Sequence, residues 1–132
     1  MRPAPLRSPR PALALLAALA ASLAACEKDT EHNRFAENVA EEMFRSSLVI
    51  ENSSRNLAAF SGAQAEAATR RGNAGEASAF RASAEEAKRH LVEDQAETAR
   101  RRGEFLAACA VRGLPAKTCE ERAQAIERDV RK

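Results

Sequence analysis

The chain has 132 residues, with 21 Lys plus Arg against 19 Asp plus Glu, five Phe, no Trp and no Tyr. Large cores need large side chains, so this composition excludes a thick globular interior. Ala mixed with Glu, Arg and Gln belongs instead to long helices packed closely through small residues.

The first stretch is an address. Residues 1–10 carry Arg2, Arg7 and Arg10 and no acid, residues 11–22 are an apolar run of mainly Ala and Leu, and Leu23-Ala24-Ala25-Cys26 follows. Positive then apolar is the layout of a secretory signal. The run is too short to span a bilayer, which needs about 20 apolar residues. Leu23, Ala24, Ala25 and Cys26 together resemble the lipobox of bacterial lipoproteins: an aliphatic residue, two small residues and Cys. That resemblance implies that residues 1–25 are removed and that Cys26 takes a diacylglycerol on its thiol and a further acyl chain on its new amino group. A thiolate suits such a transfer, and two or three chains hold a protein to a membrane where one does not. Glu27 stands where enterobacterial lipoproteins retained in the inner membrane carry Asp, so the same resemblance points to the outer membrane and a periplasm-facing chain. Removing 1–25 takes three arginines and no acid. That leaves 107 residues with 18 basic against 19 acidic side chains, enough for one domain, and neither this charge nor the export signal fits a nucleic-acid partner.

Residues 26–33 read as a lipidated polar tether and 34–132 as the helical domain, with helical periodicity beginning near Glu31. Ala36, Met43, Ile50 and Leu57 recur every seven residues. Val39, Ser46, Ser53 and Phe60 occupy the companion position three further on. These residues are expected to form the seam of a first long helix. Asn52-Ser53-Ser54 leaves open whether it runs unbroken to residue 70. Arg71-Gly72-Asn73-Ala74-Gly75 is a turn, its glycines supplying left-handed backbone. A second helix is expected over 76–111, with Ala77, Phe80, Ala84, Ala87, Leu91, Thr98, Phe105 and Cys109 on one stripe and a bend at Gly103. Gly113 and Pro115 end it. Thr118 and Glu121 form a capping box for a short third helix facing inward through Cys119, Ala123, Ile126 and Val130.

Two long helices of similar length joined by a tight turn imply an antiparallel hairpin. The fold class is therefore all-α: a long antiparallel helical hairpin plus a short C-terminal helix, stapled by one disulfide. Counting back from the turn sets Leu57 against Leu91, Ile50 against Thr98 and Met43 against Phe105, so that Leu57→Asp should cost several kcal/mol. The anchored end and the cysteine end coincide, and the glycine turn is the tip farthest from the membrane. Cys109 and Cys119, ten residues apart in an exported chain, pair as a disulfide on cysteine arithmetic, worth about 3 kcal/mol.

Arg100-Arg101-Arg102, Arg112 and Lys117 make the C-terminal third basic and residues 27–51 are acidic, so these segments are expected to pair across the hairpin. His32 and His90 are isolated and solvent-facing. There is no nucleophile–base set, no metal spacing and no phosphate loop, so neither an enzyme nor a cofactor is expected. Three functions fit a small lipid-anchored helical protein. The seven-residue seam favours a structural or adaptor lipoprotein that presents a helix to a protein partner or to its own copy. The run from Cys109 to Cys119, with the lipobox, looks somewhat like entry-exclusion lipoproteins of conjugative elements, which implies an immunity role. The ending Arg131-Lys132 is similar to that of the murein lipoprotein, which implies a peptidoglycan link through Lys132. The cysteine pair and folded-back hairpin depart from that family.

Overall fold

The computed structural model describes residues 29–132. The expected signal 1–25 and the expected anchor Cys26 lie outside them. Three helices follow: α1 (Glu31–Arg70), α2 (Ala74–Val111) and α3 (Ala116–Val130). The first two form the antiparallel hairpin, and α3 packs back on its open end.

Each boundary has a local cause. Thr30 caps α1, its hydroxyl accepting from the Asn33 N–H at 3.1 Å. At the far end Gly72 takes φ 74°. The N–H of Gly72 reaches the Thr69 carbonyl and that of Asn73 the Ala68 carbonyl, both at 3.0 Å, the paired bonds of a glycine-ended helix. Only Gly72 supplies left-handed backbone at this turn; Gly75 already lies in the first turn of α2. Asn73 caps α2 by accepting from the Glu76 N–H, while its amide donates to the Glu76 carboxylate. Gly113, at φ 86°, ends α2 in the same left-handed way. The capping box expected at Thr118 is not formed: α3 starts at Ala116 behind Pro115 and has no side-chain cap. Proline serves there because its fixed φ suits a helix start and it has no N–H to satisfy. α1 is continuous through Asn52-Ser53-Ser54, the Ser53 hydroxyl folding back onto the Val49 carbonyl at 2.9 Å, and α2 continues through Gly103.

The α2 stripe lies where the sequence puts it. Ala77, Ala84, Ala87, Thr98, Phe105 and Cys109 are buried, with Phe80 and Leu91 half-buried. The expected α1 seam does not. Met43, Ile50 and Leu57 are exposed, as are Val39 and Phe60. In their place Glu37, Phe44, Ser47, Leu48, Glu51, Ser61, Ala65 and Ala68 face inward. From Ser54 to the open end the hairpin register is the expected one within a residue, since Ser54 bonds Asp94 at 2.5 Å and Phe44 stacks on Phe105 at 6.2 Å between centroids, while nearer the tip Ser61 meets Ser83 at 3.2 Å. The face of α1 is turned by one residue, about 100°. Phe44, not Met43, therefore meets Phe105.

Two stripes of small residues, Ser-rich on α1 and Ala-rich on α2, explain the turn. Ser47, Ser54, Ser61 and Ala68 recur every seven residues on α1, opposite Ala77, Ala84 and Ala87 on α2, and helices this smooth approach closely. A Leu or Ile between them would hold the helices apart. Large side chains enter only at the open end, where Phe44, Leu48, Phe105, Ala123 and Ile126 form the core cluster under α3. Cys109 and Cys119 stand there at disulfide distance, their Cα atoms 5.9 Å apart.

Within the seam, Thr98 is buried and its Oγ1 has no hydrogen-bond partner among the described residues. Thr98→Val, which keeps the shape and removes the unsatisfied hydroxyl, is expected to raise unfolding stability by about 1 kcal/mol, read as a higher urea midpoint at unchanged slope.

Candidate functional site

The open end is clamped by charge. Glu37 of α1 is fully buried. Arg112, the C-cap of α2, donates from Nη1 to its Oε2 at 2.9 Å, and Arg122 of α3 donates to its Oε1. Arg122 also lies over the Phe105 ring, 5.5 Å from the centroid, and reaches Glu41 at 3.4 Å. Arg112 donates from Nε to Asp29 at 2.8 Å, and Arg34 grips the same carboxylate at 2.9 and 2.7 Å. The Arg34 and Arg112 hydrogen bonds hold the Asp29 carboxyl well below the usual carboxylate range. Three helices and the segment entering α1 thus converge on one buried carboxylate. Asp29 is three residues after Cys26 in the sequence.

The acidic-to-basic pairing expected across the hairpin holds at Arg112 and takes another form elsewhere. Arg100 and Arg101 pair within α2 with Glu97 and Glu104, and Lys117 pairs with Glu121 inside α3. Arg102 turns to α3, donating to Glu127 at 3.0 Å and to Glu120. Such i, i+3 and i, i+4 partners on a helix surface are nearer than anything across the seam. On the far side of α3, Arg45 joins α1 to Asp129 at 3.0 Å.

His32 and His90 are exposed, and Lys132 lies beside Arg45 and Asp129 on the flank of the molecule. No group of three or more metal-ligating side chains occurs among the described residues, and no helix among them is long and apolar enough to cross a membrane. A groove of about 610 Å³ runs between α1 and α2 near the tip, floored by Gly62, Ala65 and Ala84 and edged by Glu66, Arg81 and Glu85. Gly62, Glu66 and Thr69 follow Glu41, Arg45 and Leu48 by three heptads, so the groove continues the face that α3 covers lower down.

The feature that stands out is what α1 leaves uncovered. Phe35 (68 % exposed), Val39, Met43, Val49, Ile50, Leu57 (52 %) and Phe60 form one stripe along the helix. Ala36, Ser46 and Ser53 fill the intervening positions. α3 touches α1 through Glu37, Glu41 and Arg45, and the helical angles of these residues put the stripe on the side of α1 away from α3. Glu42 is the one charged side chain on this face between residues 35 and 60. Isolated exposed apolar residues are ordinary, whereas these are contiguous along one helix face.

Comparison with known protein families, with characterised proteins and with solved structures finds no match to this chain.

The heptad is visible in the sequence, but its residues lie on the outer face of α1 and not in the seam. No local signal marks the Glu37 clamp, because a lone Glu in an acidic segment looks like any solvated carboxylate. A separate signal could have found the inner face: the small-residue heptad Ser47, Ser54, Ser61, Ala68.

Glu37→Ala, which leaves Arg112 and Arg122 around an empty carboxylate position, is expected to lower stability by about 2–4 kcal/mol. Leu57→Asp, on the exposed stripe, should change the stability of the single chain by less than about 1 kcal/mol; chemical denaturation of both variants, at dilutions where association through the stripe is absent, checks the contrast. The arginine-bonded carboxyls of Asp29, Glu97 and Glu120 are all shifted down. Their contribution is therefore complete above the unfolded carboxyl values near pH 4 and is lost as the pH falls through the lower folded values. An unfolding midpoint that declines on acidification below about pH 4, and less steeply in high salt, is the expected outcome.

Proposed function

We propose that this protein is a lipid-anchored envelope protein acting as a structural or adaptor lipoprotein: Cys26 holds it to the outer membrane, and the α1 hairpin presents an apolar helical face to another protein. The observation that carries the reading is the stripe from Phe35 to Phe60, seven large apolar side chains outside a fold that has buried others of the same kind. An apolar face in water is unfavourable at roughly 25 cal/mol per Å². Its retention on a fold with small residues to spare is consistent with a covered surface. The lipobox supports the anchored half of the reading, and the clamp supports a rigid mount: Asp29, close to Cys26, is tied to both α1 and α2 through Arg34 and Arg112. A stiff hairpin fixed near its anchor keeps one face oriented relative to the membrane.

Two measurements test the two halves. Metabolic labelling with a fatty-acid analogue should mark the wild-type chain and not Cys26→Ser, which should accumulate as uncleaved precursor; labelling that persists in Cys26→Ser would end the anchor reading. A photo-crosslinking amino acid at position 50 should give adducts to protein in living cells, whereas adducts to lipid alone, or none, would end the adaptor reading.

A further inference from the structure

We infer that the occupant of the α1 stripe is a second copy of this chain, packed antiparallel about a two-fold axis near Leu48. This rests on the adaptor reading and names its partner.

The stripe has a coiled-coil period, with Ala36, Met43, Ile50 and Leu57 in one row and Val39, Ser46, Ser53 and Phe60 in the other. In a parallel pair each layer sets a residue against itself. Ala36, Ser46 and Ser53 would then make three thin layers between the thick ones of Met43, Ile50, Leu57 and Phe60, and the helices could not close on both. In an antiparallel pair each row faces the other row. With the axis near Leu48, Met43 lies opposite Ser53 of the second copy, Ile50 opposite Ser46, Phe60 opposite Ala36 and Leu57 opposite Val39. Every layer then combines a larger with a smaller side chain, and the width stays nearly constant along the seam, as close packing requires. Val49 meets its own counterpart beside the axis. Glu42, the single carboxylate on the face, falls beside Asn56, so no like charges are brought together.

Size and charge agree with this occupant. At about 150–200 Å² for a large apolar side chain, the seven residues, 41–68 % exposed, present on the order of 600 Å² per copy. Two copies would bury about 1,200 Å², at the lower edge of stable protein interfaces. A bilayer surface fits the face poorly, because helices that lie on membranes flank their apolar side with Lys and Arg, whereas the free flank of this face carries Asn38, Asn52, Asn56 and Arg45, the arginine paired to Glu41 and Asp129. Two antiparallel copies place their anchored ends roughly 50 Å apart, from the 34 residues separating Glu31 from the level of Ala65 at 1.5 Å each. Both lipids then enter one leaflet only if the pair lies along the membrane, with neither tip pointing away from it.

The test uses the full lipidated chain in cells, with Val39→Cys and Leu57→Cys introduced singly into two differently tagged copies and a short thiol crosslinker added. The antiparallel pair predicts a covalent dimer carrying both tags, with Val39→Cys or Leu57→Cys alone giving little. Adding Ile50→Glu to both copies should reduce the product by about tenfold or more, since each copy then buries an unpaired carboxylate, while far-ultraviolet circular dichroism stays that of the wild type. Same-tag dimers alone would mean a parallel pair and overturn the proposal, as would products with a different protein or no product. Fatty-acid labelling of the same cells and the adducts from position 50 read the anchor and the adaptor face separately. An adduct to a different protein, for instance, would leave the adaptor reading standing and remove this one.

Discussion

The narrowness of the α1–α2 seam is the constraint from which the rest of the structure follows. Ser47, Ser54, Ser61, Ala65 and Ala68 on one side and Ala77, Ala84 and Ala87 on the other let two helices of about 40 residues lie close together, and that closeness admits few large side chains. Dispersion contacts then come from backbone and Cβ atoms along the whole length rather than from a central core. Apolar bulk has two places left to go. Phe44, Leu48, Phe105 and Ile126 collect at the open end, where α3 widens the interior to three helices. The stripe from Phe35 to Phe60 stays outside, as do Val92 and Val111 of α2.

A thin hairpin of this kind frays from its open end unless that end is fastened, since the turn at Gly72 holds only the other. Two devices fasten it, and they share neighbours. The Cys109–Cys119 bridge ties the end of α2 to the start of α3. Glu37 ties both to α1 through Arg112 and Arg122. A buried carboxylate between two guanidinium groups adds little net stability, because desolvation offsets much of the attraction. What it adds is position: a slip of α1 along α2, or a one-residue turn of its face, would leave Glu37 buried without its partners. The clamp thereby selects the face of α1 that is inside, and with it the face that is outside.

Much of this was legible in the residues, and the exception is instructive. The element order, the turn at Gly72, the end at Gly113, the inner face of α2 and the cysteine pair follow from local signals that act within a few residues. The register of the hairpin follows from counting back from the turn, and from Ser54 to the open end it is right to within a residue. The inner face of α1 was not legible by the same rule, because hydrophobic periodicity assigns the larger apolar row to the interior. Here two rows compete on one helix. The row of Met43, Ile50 and Leu57 is the more apolar, and the row of Ser47, Ser54 and Ser61 is the one that fits against Ala77, Ala84 and Ala87. Fit to the partner decides, and the partner's smoothness is a property of α2 that the α1 sequence does not contain. The Glu37 clamp escaped for a related reason, since its arginines come from positions 75 and 85 residues away.

The stripe and the seam are thus two halves of one statement about α1, and the residue that Phe105 touches separates that statement from its rival. The direct measurement is a pair of double-mutant cycles in chemical denaturation, Phe44→Leu with Phe105→Leu and Met43→Leu with Phe105→Leu. With the rings of Phe44 and Phe105 stacked, the first cycle should give a coupling energy of about 0.5–1.5 kcal/mol and the second a value near zero. Coupling at Met43 and none at Phe44 would place the apolar heptad inside, and would contradict both the face of α1 described here and the surface built on it.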